Sequence, residues 1–386
     1  MMVSNKLLLT VERRYLEYNG DYYVKGTEDS AFFDKYLDEF EQVDVLCRVE
    51  KTNKLPVGYQ LVCRENLSMV PIYTTGVGVF KAFCILRILS KYKCQRIIIR
   101  TPGMLAYAVS LYCYLINAKF FCEVVADPFQ EAKSVSENVI VRTILKFVLP
   151  RIFSFQMKKC CLASFVTERE IQSATLGKNQ IKSDKFDYQY SSISIEDDFY
   201  YNSKQVDGES DVIRLLFVGV LDRPFKGLDI FLKMVALLPQ NYHGIIVGDG
   251  VLLDEYKDLS TKLGIRNRVS FKGYISDKET KLDIYRMADI FVLTSRREGL
   301  PRVVIEAMAN SLPCICSRVS GVSELIEDKY IFNIDDFEGA HKLILSLSNE
   351  ECDYMSKNNF SNSQKYNITK LSEKRKEFFE DVKEYC

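Results

Sequence analysis

Histidine is scarce in this chain, which contains only His243 and His341 among its 386 residues. Mechanisms that need a Ser-His-Asp triad or a histidine-rich metal site are therefore hard to assemble. The twelve cysteines are scattered without a paired C-x-x-C spacing, so the sequence supports neither a zinc site nor a redox pair. Basic and acidic residues balance at 52 each, so the net charge implies no nucleic acid or other polyanion as a partner.

Long apolar segments are lacking as well. The longest run, from Met104 to Ile116, is too short to cross a bilayer. The N-terminal apolar run is broken by Glu12, Arg13 and Arg14, so it does not have the pattern of a signal peptide. We therefore expect a cytoplasmic protein whose thiols are reduced.

Apolar strands and amphipathic helices alternate along most of the chain, which predicts an α/β fold with parallel sheets and right-handed crossovers. In the first half the expected strands are Lys6–Val11, Val43–Val49, Ile97–Ile99, Phe120–Val125 and Cys161–Val166. Asn19-Gly20 and Lys25-Gly26 are expected to mark a mobile loop before a helix over Thr27–Glu41. The pattern dissolves between about Gln172 and Asp211, and we expect part of this stretch to be the interdomain linker. The βα units resume at Ile213 and continue to about Ser348.

Four stretches in the second half carry the chemistry. They are Phe217–Gly227, Ile246–Gly250, Ser295–Glu306 and Ser320–Glu324. In the first three, an apolar strand leads into a glycine-containing loop that opens a helix, and such loops present backbone N–H groups to phosphate. The set resembles the donor-binding domain of retaining glycosyltransferases of family 4, which have the glycosyltransferase-B fold.

This resemblance implies two Rossmann-like α/β domains that face each other across a cleft. It places an acceptor-binding domain at residues 1–205 and a nucleotide-sugar-binding domain at residues 206–363. A C-terminal helix within residues 364–386 would pack back on the first domain. The resemblance covers the second domain closely and the first only in outline.

The resemblance also implies roles for individual residues. It assigns catalytic roles to Lys226, which would neutralise the donor diphosphate, to Glu298, which would contact the donor sugar, and to Asp127 at a strand end of the first domain. The substrate-binding residues would be Gly219, Arg223, Gly248, Tyr274, Ser295, Gly299, Leu300 and Glu306, the last on the ribose.

Each assignment has a simpler alternative. Lys226 and Arg223 would otherwise be solvated residues of a βα turn, and Asp127 a turn cap beside Pro128. The sequence also departs from the family pattern, because Val220 stands where an arginine is usual and Pro301 offers no backbone N–H.

The implied reaction moves a hexosyl unit from a nucleotide-sugar to a glycan or lipid-linked saccharide, with retained configuration, in bacterial surface polysaccharide synthesis. No metal and no cofactor are expected, since the nucleotide-sugar is a substrate and Lys226 with helix N-termini would neutralise charge. The alternatives are an epimerase of the same fold, a silent nucleotide-sugar-binding protein, and a nicotinamide-dependent dehydrogenase. A dehydrogenase would need a G-x-G-x-x-G loop after an early strand, followed by an acidic residue, and this sequence has no such loop.

The segment from Val139 to Cys161 mixes apolar residues with five basic ones. These are Arg142, Lys146, Arg151, Lys158 and Lys159. Such a segment forms either a core helix with solvated charges or a basic face that lies on an anionic membrane surface. Pro150 is expected to interrupt it.

Overall fold

In the computed structural model the chain forms two compact units, each with its own sheet. The structure describes residues 5–26, 28–56, 58–73, 87–92, 95–128, 139–176, 184–191, 193, 195–202 and 211–385. The first unit comprises Met1–Glu168, Gln172–Tyr190 and Ser372–Cys386, and the second Arg169–Ile171 and Ser191–Leu371. The segment from Ser191 to Gln205, assigned to the first domain from sequence, thus falls in the second unit.

The first unit has a nine-stranded sheet. Its strands are β1 (Lys6–Tyr18), β2 (Asp21–Val24), β3 (Gln42–Lys51), β4 (Gln60–Leu61), β5 (Leu67–Tyr73), β6 (Arg96–Thr101), β7 (Phe121–Val124), β8 (Ala163–Phe165) and β9 (Tyr188–Gln189). Its helices include α1 (Ser30–Leu37), α2 (Met104–Leu115), α3 (Val139–Lys159) and α4 (Glu170–Leu176), the last of which begins in the second unit. Parallel pairing gives the order β5-β3-β1-β6-β7-β8-β9, and this parallel sheet fits the predicted α/β class.

An antiparallel hairpin extends this sheet, where the sequence suggested a mobile loop. Tyr18 pairs with Asp21 across a turn formed by Asn19 and Gly20, both of which have positive φ. Asn-Gly is the dipeptide that two-residue hairpin turns favour, because both central residues must adopt that conformation. The loop prediction was therefore wrong at Asn19-Gly20, and β2 and β4 form the edge of the sheet instead.

Helix α3 runs through Pro150 without ending there, contrary to the expected interruption. A proline inside a helix removes one hydrogen bond and crowds the preceding turn. Leu149, Phe153 and Met157 on either side are buried. We infer that this packing holds the helix together despite the lost bond.

A buried polar cluster lies under β6 and β7 of the first unit. The Glu123 carboxylate accepts hydrogen bonds from Tyr36 (2.6 Å) and Tyr190 (2.9 Å). Arg100 lies 3.3 Å from Glu123 and 2.5 Å from Glu28, so its buried charge has two acidic partners. The cluster fixes the end of β7, from which the chain continues to Asp127.

The second unit has a six-stranded parallel sheet. Its strands are β10 (Ile213–Val218), β11 (Tyr242–Val247), β12 (Val269–Gly273), β13 (Ile290–Leu293), β14 (Cys314–Ser317) and β15 (Ile331–Phe332). Its helices are α5 (Leu228–Leu237), α6 (Leu253–Lys262), α7 (Lys278–Met287), α8 (Arg302–Ala309), α9 (Phe337–Ser346) and α10 (Asn349–Ser363), before α11 (Ile368–Glu384) leads into the first unit.

The strand order β12-β11-β10-β13-β14-β15 is that of a doubly wound nucleotide-binding sheet. The chain moves outwards from β10 in one direction through β11 and β12, then returns to the other side of β10 with β13. Ligands of such sheets bind beyond the carboxyl ends of the strands at this reversal. The topology therefore predicts that a ligand would bind at the loops that follow β10 and β13.

Contacts of the segment before β10 explain why it belongs to the second unit. The Tyr201 N–H donates to Ala309 O (2.9 Å), and the Tyr200 hydroxyl donates to Ser363 O (3.2 Å). The Phe199 ring packs edge-on against Tyr285, with 6.1 Å between the centroids. These contacts attach residues 199–201 to the helices of the second unit.

Helix α11, near the end of the chain, completes the first unit. The Phe379 ring of α11 lies 5.4 Å from that of Tyr36 and 5.6 Å from that of Phe40. Lys383 forms an ion pair of 2.6 Å with Glu39. None of the helices that the structure describes is long and apolar enough to span a membrane.

Candidate functional site

The carboxyl ends of four neighbouring strands in the second unit meet at one edge of the sheet. Gly219 follows β10 and donates its N–H to Val247 O at 3.0 Å. Gly248 follows β11 and donates to Gly273 O at 2.9 Å. Thr294 follows β13. The loops that carry the predicted site residues of this unit therefore start from a common edge.

Gly248 brings the second of these loops against the first. Its φ is +147°, and a Cβ at this position would lie 1.8 Å from the carbonyl oxygen of Gly219. Only glycine fits such an approach without displacing the backbone. Gly248 therefore closes the packing between two strand ends.

Lys226 and Glu298 form the centre of the site. Their side chains make an ion pair of 2.6 Å between Nζ and Oε1, and the Ser295 hydroxyl donates to the same oxygen at 2.6 Å. The alkyl chain of Lys226 lies against Gly219, where a Cβ would come within 3.0 Å of its Cγ. Four of the predicted residues are thus brought together from loops about seventy residues apart in sequence.

This ion pair is partly exposed to solvent. The Lys226 side chain is 26% exposed and that of Glu298 is 13% exposed. An ammonium group at such a position retains access to an incoming anion while its carboxylate partner holds it in place. The arrangement suits the neutralisation of a phosphate group at the edge of the sheet.

Gly227 joins the two central loops. It has φ +68°, and a Cβ there would lie 2.0 Å from the carbonyl oxygen of Thr294. The Thr294 hydroxyl donates to Gly227 O at 2.9 Å, and the Arg296 N–H donates to Phe225 O at 2.7 Å. The backbone on either side of Lys226 is consequently fixed to the backbone that precedes Glu298.

Arg296 strengthens this junction and was missed by the sequence analysis. Its guanidinium donates to Asp229 at 2.9 and 2.7 Å, to Asp335 at 2.6 Å and to Pro224 O at 2.6 Å. Hydrogen bonding to the Asp229 carboxylate raises the pKa of Arg296. No sequence signal could have found it, because its partners are distant in the chain and share no motif with it.

Glu306 belongs to a second cluster, between α7 and α8. Its Oε2 accepts a hydrogen bond from the Tyr285 hydroxyl at 2.7 Å, and its Oε1 lies 2.8 Å from Lys281 Nζ. Burial, followed by the charge of Glu306, raises the pKa of Tyr285 well above its usual value. The phenol therefore stays protonated and donates to the carboxylate. Neither Lys281 nor Tyr285 was identified from the sequence.

The remaining predicted residues of this unit differ in exposure. Tyr274 follows β12 and is 65% exposed. The exposed Arg223 lies beside the Phe225 ring, with 5.9 Å between the guanidinium carbon and the ring centroid. Leu300 is buried. Gly299 packs against Gly321, where a Cβ would lie 2.5 Å from Gly299 O.

Helix α8 begins at Arg302, directly after these residues. Pro301 is its N-cap, with an extended conformation (φ −74°, ψ 99°). The last predicted site residue, Asp127, lies in the first unit, in the loop after β7, and is partly buried. Among the described residues no group of three or more histidine, cysteine, aspartate or glutamate side chains is arranged to hold a metal ion.

Comparison with known proteins finds a family match in the second unit. Residues 202–365 match the model of the family described as glycosyl transferases group 1. This part of the chain is therefore similar to a group 1 glycosyltransferase domain. The match spans β10 to α10 and includes every predicted site residue except Asp127. Membership of family 4 in particular stays a prediction.

Individual relatives extend the likeness to the first unit. The chain is 24% identical to protein CapJ of Staphylococcus aureus over 85% of this chain and 82% of that protein. It is 27% identical to an Escherichia coli UDP-Gal:alpha-D-GlcNAc-diphosphoundecaprenol alpha-1,3-galactosyltransferase over 36% of each chain.

A solved structure supports the fold over almost the whole chain. HepE of Anabaena, solved with UDP and glucose, aligns with 97% of this chain and 99% of its own, at a TM-score of 0.64 and 15% identity. The predicted glycosyltransferase-B fold, with two Rossmann-like sheets, is confirmed.

The junction at Gly227 generates a first prediction about the second unit. Gly227→Ala should destabilise the domain by about 3 kcal/mol or more, because the methyl group would meet the Thr294 carbonyl. Gly264 is a matched control, with φ +70° and nothing within 4 Å of its Cβ position. Gly264→Ala should cost only about 1 kcal/mol. Equal losses in denaturant-induced unfolding would contradict the proposed junction.

Proposed function

We propose that this protein is a retaining hexosyltransferase that transfers a sugar from a nucleotide-sugar to a glycan or lipid-linked saccharide. The observation that carries the proposal is the Lys226–Glu298 ion pair at the strand-end edge of a group 1 domain. A nucleotide-sugar offers a diphosphate to the lysine and sugar hydroxyls to the glutamate. The same match favours transfer over the epimerase and dehydrogenase alternatives.

In this proposal the donor diphosphate lies against Lys226 and the backbone of Gly219 and Gly248. Negative charge grows on the diphosphate as the glycosidic bond breaks, so a fixed cation stabilises the transition state more than the ground state. Arg223 is exposed in the same loop and supplies a second cation. Arg223 thus replaces the arginine that the family usually has at the position of Val220.

The sugar and the nucleoside have separate contacts in the proposal. Glu298 accepts hydrogen bonds from hydroxyls of the donor sugar, beside Ser295 and the backbone of Gly299 and Leu300. Glu306 binds the ribose, and the exposed Tyr274 lies near the base. Asp127 serves the acceptor side of the reaction from the first unit.

The relatives suggest the substrates to try first. HepE was solved with UDP and glucose, so UDP-glucose is the first donor to test. The E. coli relative is named for an acceptor in which a sugar is linked to undecaprenol through a diphosphate. We therefore propose a lipid-linked saccharide acceptor and a role in bacterial surface polysaccharide synthesis.

A membrane-facing role for α3 fits such an acceptor. Leu149, Phe153 and Met157 on one side of the helix are buried, whereas Phe147 is 63% exposed and Arg151 is exposed. Lys158 and Lys159 are also exposed near its C-terminal end. The side chains of Arg142 and Lys146 lie outside the described residues. We propose that the exposed side of α3 associates peripherally with the cytoplasmic face of the membrane.

The role of Lys226 is tested directly by Lys226→Ala. Turnover should fall by about a hundredfold to a thousandfold, because the cation acts most strongly in the transition state. The measurement is the acceptor-dependent release of nucleoside diphosphate, with circular dichroism to confirm folding. Lys257→Ala, which removes an exposed ion pair with Asp254, is the control. Full activity in a folded Lys226→Ala protein would refute the assignment.

The two glutamates should behave differently when each is changed to glutamine. Glu298→Gln should lower kcat and reduce the selectivity for the donor sugar. Glu306→Gln should weaken binding of the nucleoside diphosphate about tenfold or more. Steady-state kinetics and titration calorimetry separate the two effects. An unchanged nucleotide affinity in Glu306→Gln would remove that residue from the ribose site.

Catalysis should not depend on a divalent metal. The proposal assigns charge neutralisation to Lys226, Arg223 and helix N-termini, so turnover should persist after treatment with EDTA. Rates are compared before chelation, after chelation, and after adding Mg²⁺ or Mn²⁺. Loss of activity with EDTA and its recovery with either ion would show that a metal shares this task.

Membrane association is tested by sedimentation with vesicles. Each basic residue near an anionic surface contributes about 1 kcal/mol, and salt screens this attraction. Binding should rise with the anionic lipid fraction and fall with salt. Replacing Arg142, Lys146, Arg151, Lys158 and Lys159 by glutamine should abolish it and leave activity on a soluble acceptor intact. Equal sedimentation of the variant, or none of the wild type, would favour the core-helix alternative.

A further inference from the structure

Helix α7 supplies two donors to the carboxylate of Glu306. Lys281 and Tyr285 are four residues apart, so both side chains leave the same face of the helix. Lys281 Nζ lies 2.8 Å from Oε1, and the Tyr285 hydroxyl donates to Oε2 at 2.7 Å. Each oxygen of Glu306 thus has its own partner, which leaves the carboxylate no freedom to rotate without losing a hydrogen bond.

This arrangement holds the carboxylate without saturating it. Each oxygen of an ionised carboxylate can accept about two hydrogen bonds, so one site on each oxygen stays open after Lys281 and Tyr285 are counted. The Glu306 side chain is 17% exposed and that of Lys281 is 30% exposed. A pair of adjacent hydroxyls, as on a ribose, matches two open acceptor sites on a fixed carboxylate.

The two donors differ in what they contribute. Lys281 places a positive charge beside the Glu306 carboxylate and donates to its Oε1. Tyr285 is buried and its ring stacks on Phe291 with 6.5 Å between centroids, so it fixes the position of the carboxylate from the core. Without the lysine, Tyr285 would still hold Oε2 of the carboxylate, whereas Oε1 would lose the ion pair that fixes it.

We propose that Lys281 is a positioning residue that gives the protein its selectivity for ribose over deoxyribose, acting through Glu306. The inference rests on the proposed function, in which Glu306 binds the ribose of the donor nucleotide. Lys281 does not contact the nucleotide. It orients the carboxylate so that both open acceptor sites face the two hydroxyls.

The same helix contains a matched control. Lys278 forms ion pairs with Glu196 (2.5 Å) and Asp198 (2.6 Å), and it is 38% exposed. Its loss removes a lysine and its ion pairs from α7 but leaves Glu306 and its two donors unchanged. A general effect of weakening this helix would therefore appear in both variants, and an effect on the carboxylate only in Lys281→Met.

The test measures selectivity rather than affinity alone. Calorimetric titrations compare UDP with 2′-deoxy-UDP and 3′-deoxy-UDP. Each nucleotide is titrated into wild type, Lys281→Met, Lys281→Arg and Lys278→Met. If wild type binds GDP or ADP more tightly than UDP, the corresponding nucleotides with that base are used instead. Wild type should prefer the ribonucleotide at least tenfold. The preference should fall to about threefold or less in Lys281→Met, be largely restored in Lys281→Arg, and be unchanged in Lys278→Met.

The outcomes separate this inference from the proposed function. Weaker binding by Lys281→Met with the full ribose preference would make the lysine merely structural and overturn the inference, while the ribose role of Glu306 would stand. No ribose preference in wild type would overturn both. If Lys281→Met does not fold, Lys281→Gln and Tyr285→Phe are used, and a preference unchanged in both would overturn the inference equally.

Discussion

The contact between Lys226 and Glu298 is the interaction on which the account of this protein depends. A lysine beside a glycine loop is usually solvated, and a glutamate before a helix is usually on the surface. At 2.6 Å from each other and with Ser295 as a third partner, the two side chains define a single charged site. The site lies where the doubly wound order of the sheet predicts ligand binding.

The geometry of this pair is secured by backbone contacts more than by the pair itself. A partly exposed ion pair contributes little to stability, since the water that it displaces offsets most of the attraction. The close approach of Gly227 to Thr294, the bond from the Arg296 N–H to Phe225 O, and the Arg296 side chain hold the two loops in register. The domain thus presents its charges from a rigid edge, as a preorganised site requires.

Much of this edge could be predicted from the sequence because its signals are local. Strands that end in glycine, and a glutamate on each side of a loop, are visible within short windows, and the predicted Lys226, Ser295 and Glu298 do meet. Arg296, Lys281 and Tyr285 could not be predicted, since each depends on partners that only the packed helices bring close. The Asn19-Gly20 hairpin was missed although its turn signal was local, because the strand after it is short.

The most direct test of the central claim is a crystal structure of the protein with the nucleoside diphosphate that it binds most tightly. We expect the diphosphate within about 4 Å of Lys226 Nζ and beside the backbone of Gly219, with the ribose hydroxyls on the Glu306 carboxylate. A nucleotide bound elsewhere, with the Lys226–Glu298 pair untouched, would contradict the account.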